Sequence, residues 1–217
     1  MTDLTDRLTQ RPRVEQPPCF LCDISTGPRD APRQWFNQPL VSEPGVGAIL
    51  AGVGALVPGY VLVAPAAHVT ASTLLPAAAL PGFLALFEHA RATLARLDPV
   101  VSFFEHGLCG PPDQPRSACV EHAHLHLVPG RHDFATPGAP VSRHADLAAF
   151  LADGPRDRNY FMYSGGGDVV CAPDPCQSQY GRRRWAAGLG VPERWDYALF
   201  PEWPAVTETF TLFAAAG

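Results

Sequence analysis

The chain has 217 residues, 47% of them hydrophobic, and a formal net charge of −5. That length and apolar content suit one well-buried domain with a decorated C-terminal part and leave little room for two. The acidic balance argues against a nonspecific nucleic-acid coat, which needs a basic surplus. All sixteen basic residues are Arg, a compositional bias without functional content.

In chain order, residues 1–16 read as a flexible polar tail without the apolar core of a signal peptide, which points to a cytoplasmic protein. Cys19-Phe-Leu-Cys22 follows, with the spacing of a metal knuckle or a redox pair. The other four cysteines read as ordinary thiols, because the chain is too long for a small disulfide scaffold. Strands are expected near 39–43, 47–53 and 60–64. The run from Val46 to Ala67 is uncharged, but Gly47, Gly52, Gly54, Pro58 and Gly59 interrupt it, so it reads as two buried strands and a turn and not as a membrane span.

Pro81–Leu97 has apolar residues at helical spacing, with Pro81 in the first turn and Pro99 as a stop. Val100–Phe104 is β-prone, and a proline-rich loop then leads to a histidine-bearing strand ending near Pro129. Beyond it come a short helix at about Arg143–Asp153 and strands near Asn159–Tyr163 and Val169–Cys171. A helix near Ser178–Leu189 follows, with Ser178 as N-cap, and the end of the chain reads as an irregular tail. This order fits an α+β domain with a largely antiparallel sheet, not a doubly wound one.

Glu-His-Ala-His-Leu-His-Leu-Val-Pro-Gly, residues 121–130, carries three histidines at alternate positions. Side chains alternate across a strand, so His122, His124 and His126 would share one face. Such a row suits metal coordination, anion binding or nucleophilic catalysis. A closed metal site at Cys19 and Cys22 needs two further ligands. His68, at the end of Val-Leu-Val-Ala-Pro-Ala-Ala-His, is one candidate, and a triad histidine is another. Two unligated thiols or a redox pair remain the alternatives.

Three segments, CFLCDI, PGYVLVAPAAHV and HAHLHLVPGRH, resemble in order and spacing the histidine-triad family of nucleotidyl hydrolases and transferases. The resemblance implies a histidine-triad-like α+β fold: a mostly antiparallel sheet of about five strands with flanking helices. It places a catalytic core at 17–132 and an extension at 133–217 packed on it within the same domain. His124 would attack the phosphorus of a nucleotide phosphoester, phosphoanhydride or phosphoramidate and form a covalent histidyl-nucleotide. His126 would stabilise the phosphoryl group. Cys19, Cys22, His68 and His122 would hold a structural zinc ion. The partner would be a nucleotide-containing small molecule, neither nucleic acid nor membrane, and family members are often homodimers.

Phe20, Leu21 and Ile24 match positions that line the family's base pocket, although plain core residues would look the same. Ser117 and Cys119 fall in the loop that meets phosphate, with a structural thiol as the alternative for Cys119. The acidic residue that binds ribose in the family falls at Gly52 here, which cannot do this. Outside the resemblance, Gln179, Arg182 and Arg183 share a helical face at i, i+3 and i+4. Together they are candidates for clamping a second phosphate, against the reading of a solvated arginine face. His106 is either a substrate contact or a hydrogen-bonded structural histidine. Two rival functions stand beside the main one: a metal-dependent hydrolase using all three histidines as ligands, and a catalytically silent nucleotide-binding protein.

Overall fold

The glycine-interrupted apolar run folds as a hairpin. Strand β2 (Gly47–Ala51) pairs antiparallel with β3 (Val61–Pro65), with Gly47 opposite Pro65 and Ala51 opposite Val61. Gly59 turns the chain with φ +89°, a backbone angle that a side chain rarely adopts. The computed structural model describes residues 19–27, 33–111, 113–114, 117–118 and 120–216. The tail at 1–16 and Cys119 lie outside the described residues.

Strand β1 (Pro39–Glu43) pairs with β2, and the helix after the hairpin is α2 (Leu80–Leu94), with Pro81 in its first turn. Strand β4 (Val101–Gly107) and the histidine strand β5 (Leu125–Pro129) pair antiparallel, and β5 inserts between β3 and β4. Strand β6 (Ser142–His144) and helix α3 (Leu147–Asp153) occupy the stretch expected to be one helix. Asp146 stops the helix from starting earlier: its side chain accepts the Ala149 N–H as an N-cap.

Strands β7 (Tyr160–Ser164) and β8 (Val169–Pro173) form a second hairpin. The sheet thus has eight strands in the order β1-β2-β3-β5-β4-β7-β8-β6, every neighbouring pair antiparallel. This corrects the expectation of about five strands, while the α+β class stands. The cause is β4, which buries side chains on both faces and therefore needs a neighbour along each edge. β7 supplies one, pairing from Phe103 opposite Ser164 to Gly107 opposite Tyr160. The C-terminal part therefore continues the sheet as well as packing on it.

Each face of the sheet has its own core. On one face α2 presents Phe83, Phe87 and Leu94 to Val61, Val63, Phe103, Leu125 and Leu127. On the other face, helix α4 (Tyr180–Gly188) and helix α5 (Trp203–Ala214) bring Tyr180, Trp185 and Val206 to Tyr60, Phe104 and Phe161. Fully burying side chains such as Val206 contributes about 1.5–3 kcal/mol each, which is why the end of the chain is an ordered helix and not an irregular tail. Thr209 of α5 reinforces this by accepting the Gly59 N–H at 2.8 Å. The strand period does the rest: Leu125 and Leu127 face α2, so His126 faces α4 and α5. No helix among the described residues is long and apolar enough to cross a membrane.

Candidate functional site

The Cys-x-x-Cys segment is helical and not a turn: α1 (Phe20–Thr26) begins with Cys19 as its N-cap. A three-residue separation in a helix puts Cys19 and Cys22 on one side. Leu21 and Ile24 are buried against Ala48, Leu50 and Ala64, which fixes α1 against β2 and β3. These two residues are therefore core, whereas Phe20, 47% exposed, borders the cavity described below.

His68 follows β3, and the Ala123 N–H donates to the Val69 carbonyl at 2.7 Å. That backbone bond lays His122 beside His68, with ring centroids 5.1 Å apart. His122 Nδ1 is 3.4 Å from the Sγ of both Cys19 and Cys22, and His68 Nδ1 is 3.1 Å from Cys22 Sγ. All four donor atoms lie within 4.8 Å of one another, so the group could hold a metal ion. Ligands around tetrahedral zinc stand roughly 3.5 Å apart across a sulfur–nitrogen edge, close to these gaps.

The Nε2–H of His122 donates to the Pro65 carbonyl at 2.9 Å. That bond fixes the tautomer and leaves the Nδ1 lone pair for an ion, the usual outer partner of a ligating histidine. Burial, then the hydrogen bond and charge of Cys19, push the Cys22 thiol up to about 11. Two thiolates side by side need a cation between them.

His122 and His124 precede β5 and are not part of it, yet the alternation persists through the segment. His122 turns to the cysteines, while His124 and His126 line a cavity of about 510 Å³ between the sheet and the C-terminal helices. His124 Nδ1–H donates to the His122 carbonyl at 2.8 Å. Its Nε2 consequently carries the lone pair. Burial holds His124 below the ordinary imidazole range, the bond to His122 offsetting part of the effect.

His126 stacks on Phe104 at 4.3 Å, and its Nδ1 is 2.7 Å from the Tyr60 hydroxyl. Burial, then the charges of His124, His106 and Arg182, hold it well below the ordinary range. Both imidazoles are thus held neutral, one as a lone-pair donor and the other locked at its far nitrogen by a phenol. Tyr60 occupies the space a side chain at 52 would need: a Cβ on Gly52 would lie 2.2 Å from its ring.

The rest of the cavity is largely apolar, with Phe36, Leu50, Leu62 and Trp203 among its walls. Polar groups reach it from β4 and from the start of α4, among other places. His106 accepts the Gly181 N–H through Nε2 at 3.3 Å. Burial, then the charge of His124, lower it to about 3. Gln179 and Arg182 also line the cavity. Arg183 does not: its guanidinium carbon lies 3.4 Å from the Trp195 ring centroid and its Nε–H donates to the Ser178 carbonyl. Ser178 does not cap α4; Gln179 does so by position, without a side-chain bond.

Ser117 borders the cavity, but its hydroxyl is engaged, donating to Asp174 and accepting the Gln177 N–H. Tyr60 is a cavity side chain that the spacing did not single out. For Tyr60 a signal existed, because Leu62, two residues on, pairs with His126 and therefore shares its face. For Arg182 the face was legible, but the choice between it and Arg183 was not.

Among the described residues, the donors close enough to share an ion are Cys19, Cys22, His68 and His122; His124 and His126 are not among them. No family model and no curated protein matches the chain.

Proposed function

We propose that the protein is a nucleotidyl hydrolase or transferase of histidine-triad type, acting through a covalent histidyl-nucleotide on His124. The observation that carries this reading is the 2.8 Å bond from His124 Nδ1–H to the His122 carbonyl. It leaves Nε2 unprotonated inside a cavity large enough for a nucleotide-sized ligand. In the first step Nε2 attacks the α-phosphorus, a nitrogen–phosphorus bond forms, and the leaving group departs with the bridging oxygen or nitrogen and its bonding electrons. In the second step water or another acceptor displaces the nucleotide and restores the imidazole.

His126, with Nδ1 accepting from Tyr60, would present Nε2–H to the phosphoryl oxygens or the leaving atom, where charge develops. The apolar wall of Phe36, Leu50 and Trp203 suits a nucleobase. The two-cysteine, two-histidine group suits a structural zinc ion, which when bound would fasten α1 to the segment bearing His122. Thiolate ligands fit a reducing compartment such as the cytoplasm.

The reading with three histidines on one catalytic metal is disfavoured, because His122 Nδ1 faces the cysteines. The test is mass spectrometry of the chain mixed with dinucleoside polyphosphates, nucleotide sugars and nucleoside phosphoramidates. A nucleotide mass added at His124, absent in His124→Ala, is expected, together with a fall in kcat of about 10⁴-fold or more. No adduct and no cleavage across the panel would overturn the reading in favour of a silent binder.

A further inference from the structure

Among the described residues, three polar atoms in the cavity wall are buried and have no hydrogen-bond partner: Arg182 Nη1, His106 Nδ1 and Gln179 Oε1. Arg182 is the most exacting of them. The residue is 4% exposed, Nε donates to the Trp195 carbonyl at 2.8 Å, and Nη2 donates to the Gly54 carbonyl at 2.9 Å. Its third nitrogen is left over. Among the described residues no carboxylate forms an ion pair with it. A guanidinium taken out of water without an anion is costly, and two neutral carbonyls, the Tyr60 phenol and the neighbouring aromatic rings do not neutralise it.

The fold makes room for this cation deliberately. Gly181 lets α4 approach β4, since a Cβ there would lie 2.4 Å from the Phe104 ring. Gly54, at φ +78°, does the same beside Arg182, where a Cβ would lie 2.6 Å from Nη2. Gln179 sits in the left-handed region at φ +56°, an uncommon conformation for a residue with a side chain, and keeps an unpaired acceptor. His106 accepts at Nε2, so its Nδ1 bears the hydrogen, and it is a second unpaired donor.

The position of this cluster relative to the histidines is set by a row of rings. His124 and His126 are 4.7 Å apart between centroids, His126 stacks with Tyr60 at 5.9 Å, and the Arg182 guanidinium lies 5.4 Å from the Tyr60 ring. An anion at Arg182 is therefore beyond the group that meets His124, on the His126 side.

We propose that Arg182 and Gln179 form a second anion subsite at the α4 end of the cavity, which takes a phosphate beyond the one that His124 attacks. Arg182 donates to its oxygens and Gln179 accepts from a hydroxyl next to it. The ligand class is a nucleoside diphosphate or longer derivative, not a nucleoside monophosphate with an uncharged leaving group. This rests on the reading of the cavity as a nucleotide site, but not on turnover.

The test is calorimetric binding to the zinc-loaded chain of 217 residues. The probes are the monophosphates of adenosine, guanosine, uridine and cytidine and the α,β-methylene analogues of their diphosphates, which resist cleavage. For the base that binds, the diphosphate analogue is expected to bind at least tenfold tighter. Arg182→Gln is expected to shrink that preference below threefold while changing monophosphate affinity less than threefold. Gln179→Glu, which leaves the buried guanidinium in place, should weaken the diphosphate about tenfold and the monophosphate little; it decides the matter if Arg182→Gln fails to fold. Equal affinity for the two probes in the unaltered chain overturns the subsite while leaving the covalent reading standing. A diphosphate preference, together with no adduct on His124 from the cleavable substrates of the mass-spectrometric panel, overturns the covalent reading and supports the subsite. No binding of any probe overturns both.

Discussion

The carbonyl oxygen of His122 accepts the Nδ1–H of His124 at 2.8 Å, while the imidazole of the same His122 faces Cys19 and Cys22 at 3.4 Å. One residue thus touches the ligand group with its side chain and orients the candidate nucleophile with its backbone. Whatever holds the His122 ring also sets the tautomer of His124.

Zinc is therefore expected to stabilise the fold and to preserve activity without meeting substrate. The chain should bind one ion, and replacing Cys19 and Cys22 by Ser should abolish that binding. At a zinc concentration a thousandfold above its dissociation constant, mass action adds about 4 kcal/mol, which raises Tm by about 8–16 °C in a chain of this size. Scanning calorimetry with and without a chelator checks this. Metal retained after both substitutions would place the ion on the histidines instead.

Tyr60→Phe removes the 2.7 Å bond to His126 Nδ1 and leaves the ring in its stack. A hydrogen bond of about 1–1.5 kcal/mol corresponds to a loss of about tenfold in kcat. KM should hold steady, because the hydroxyl that is lost bonds His126 and the ring that lines the cavity stays. Steady-state kinetics separate the two constants; a change confined to KM would show that Tyr60 binds substrate directly.

Gly52→Ala should be harmful although position 52 lies far from His124 in sequence. The new Cβ would lie 2.2 Å from the Tyr60 ring, which is buried and cannot swing aside. Overpacking of this kind costs about 1–3 kcal/mol. Combining it with Tyr60→Leu should return part of that loss, giving a coupling term in a double-mutant cycle. Additive losses in urea unfolding would mean that the two positions do not press on one another.

Acid should destabilise the protein through His106. Burial, then the charge of His124, lower it to about 3 in the folded chain, against 6.5 as the ordinary value. Between those values the unfolded chain binds a proton that the folded chain refuses. Stability from this group is therefore complete above pH 6.5 and is lost as pH falls toward 3, by up to about 1.4 kcal/mol per pH unit. His106→Gln keeps an acceptor for the Gly181 N–H and should flatten the pH dependence by one proton's worth between pH 6.5 and 4. Urea midpoints across that range measure it, and an unchanged slope would show that His106 titrates freely.

Local spacing picked out the cysteine pair and the histidine row. Cys19 and Cys22 stand three apart, and the alternation of His122, His124 and His126 splits side chains by a two-residue period whether or not the backbone is in a ladder. The α+β class was legible for the same reason, since each element announces itself by its own period. The strand count was not. Whether β4 ends the sheet or passes it on to β7 depends on burial along both of its edges, which no local pattern records.

The cavity was even less accessible from sequence. Its floor comes from β2, β3, β4 and β5, and much of its cover comes from residues 179 to 203. Arg182 and Arg183 are adjacent and identical in type, so spacing on a helix leaves them equivalent until the face of α4 is known. Tertiary packing turned Arg182 inward beside Tyr60 and laid Arg183 on Trp195. The sequence by itself determined which residues could do chemistry, because short-range periodicity fixes their faces. The tertiary structure decided which of them share one cavity, because burial and desolvation are properties of neighbours distant in the chain.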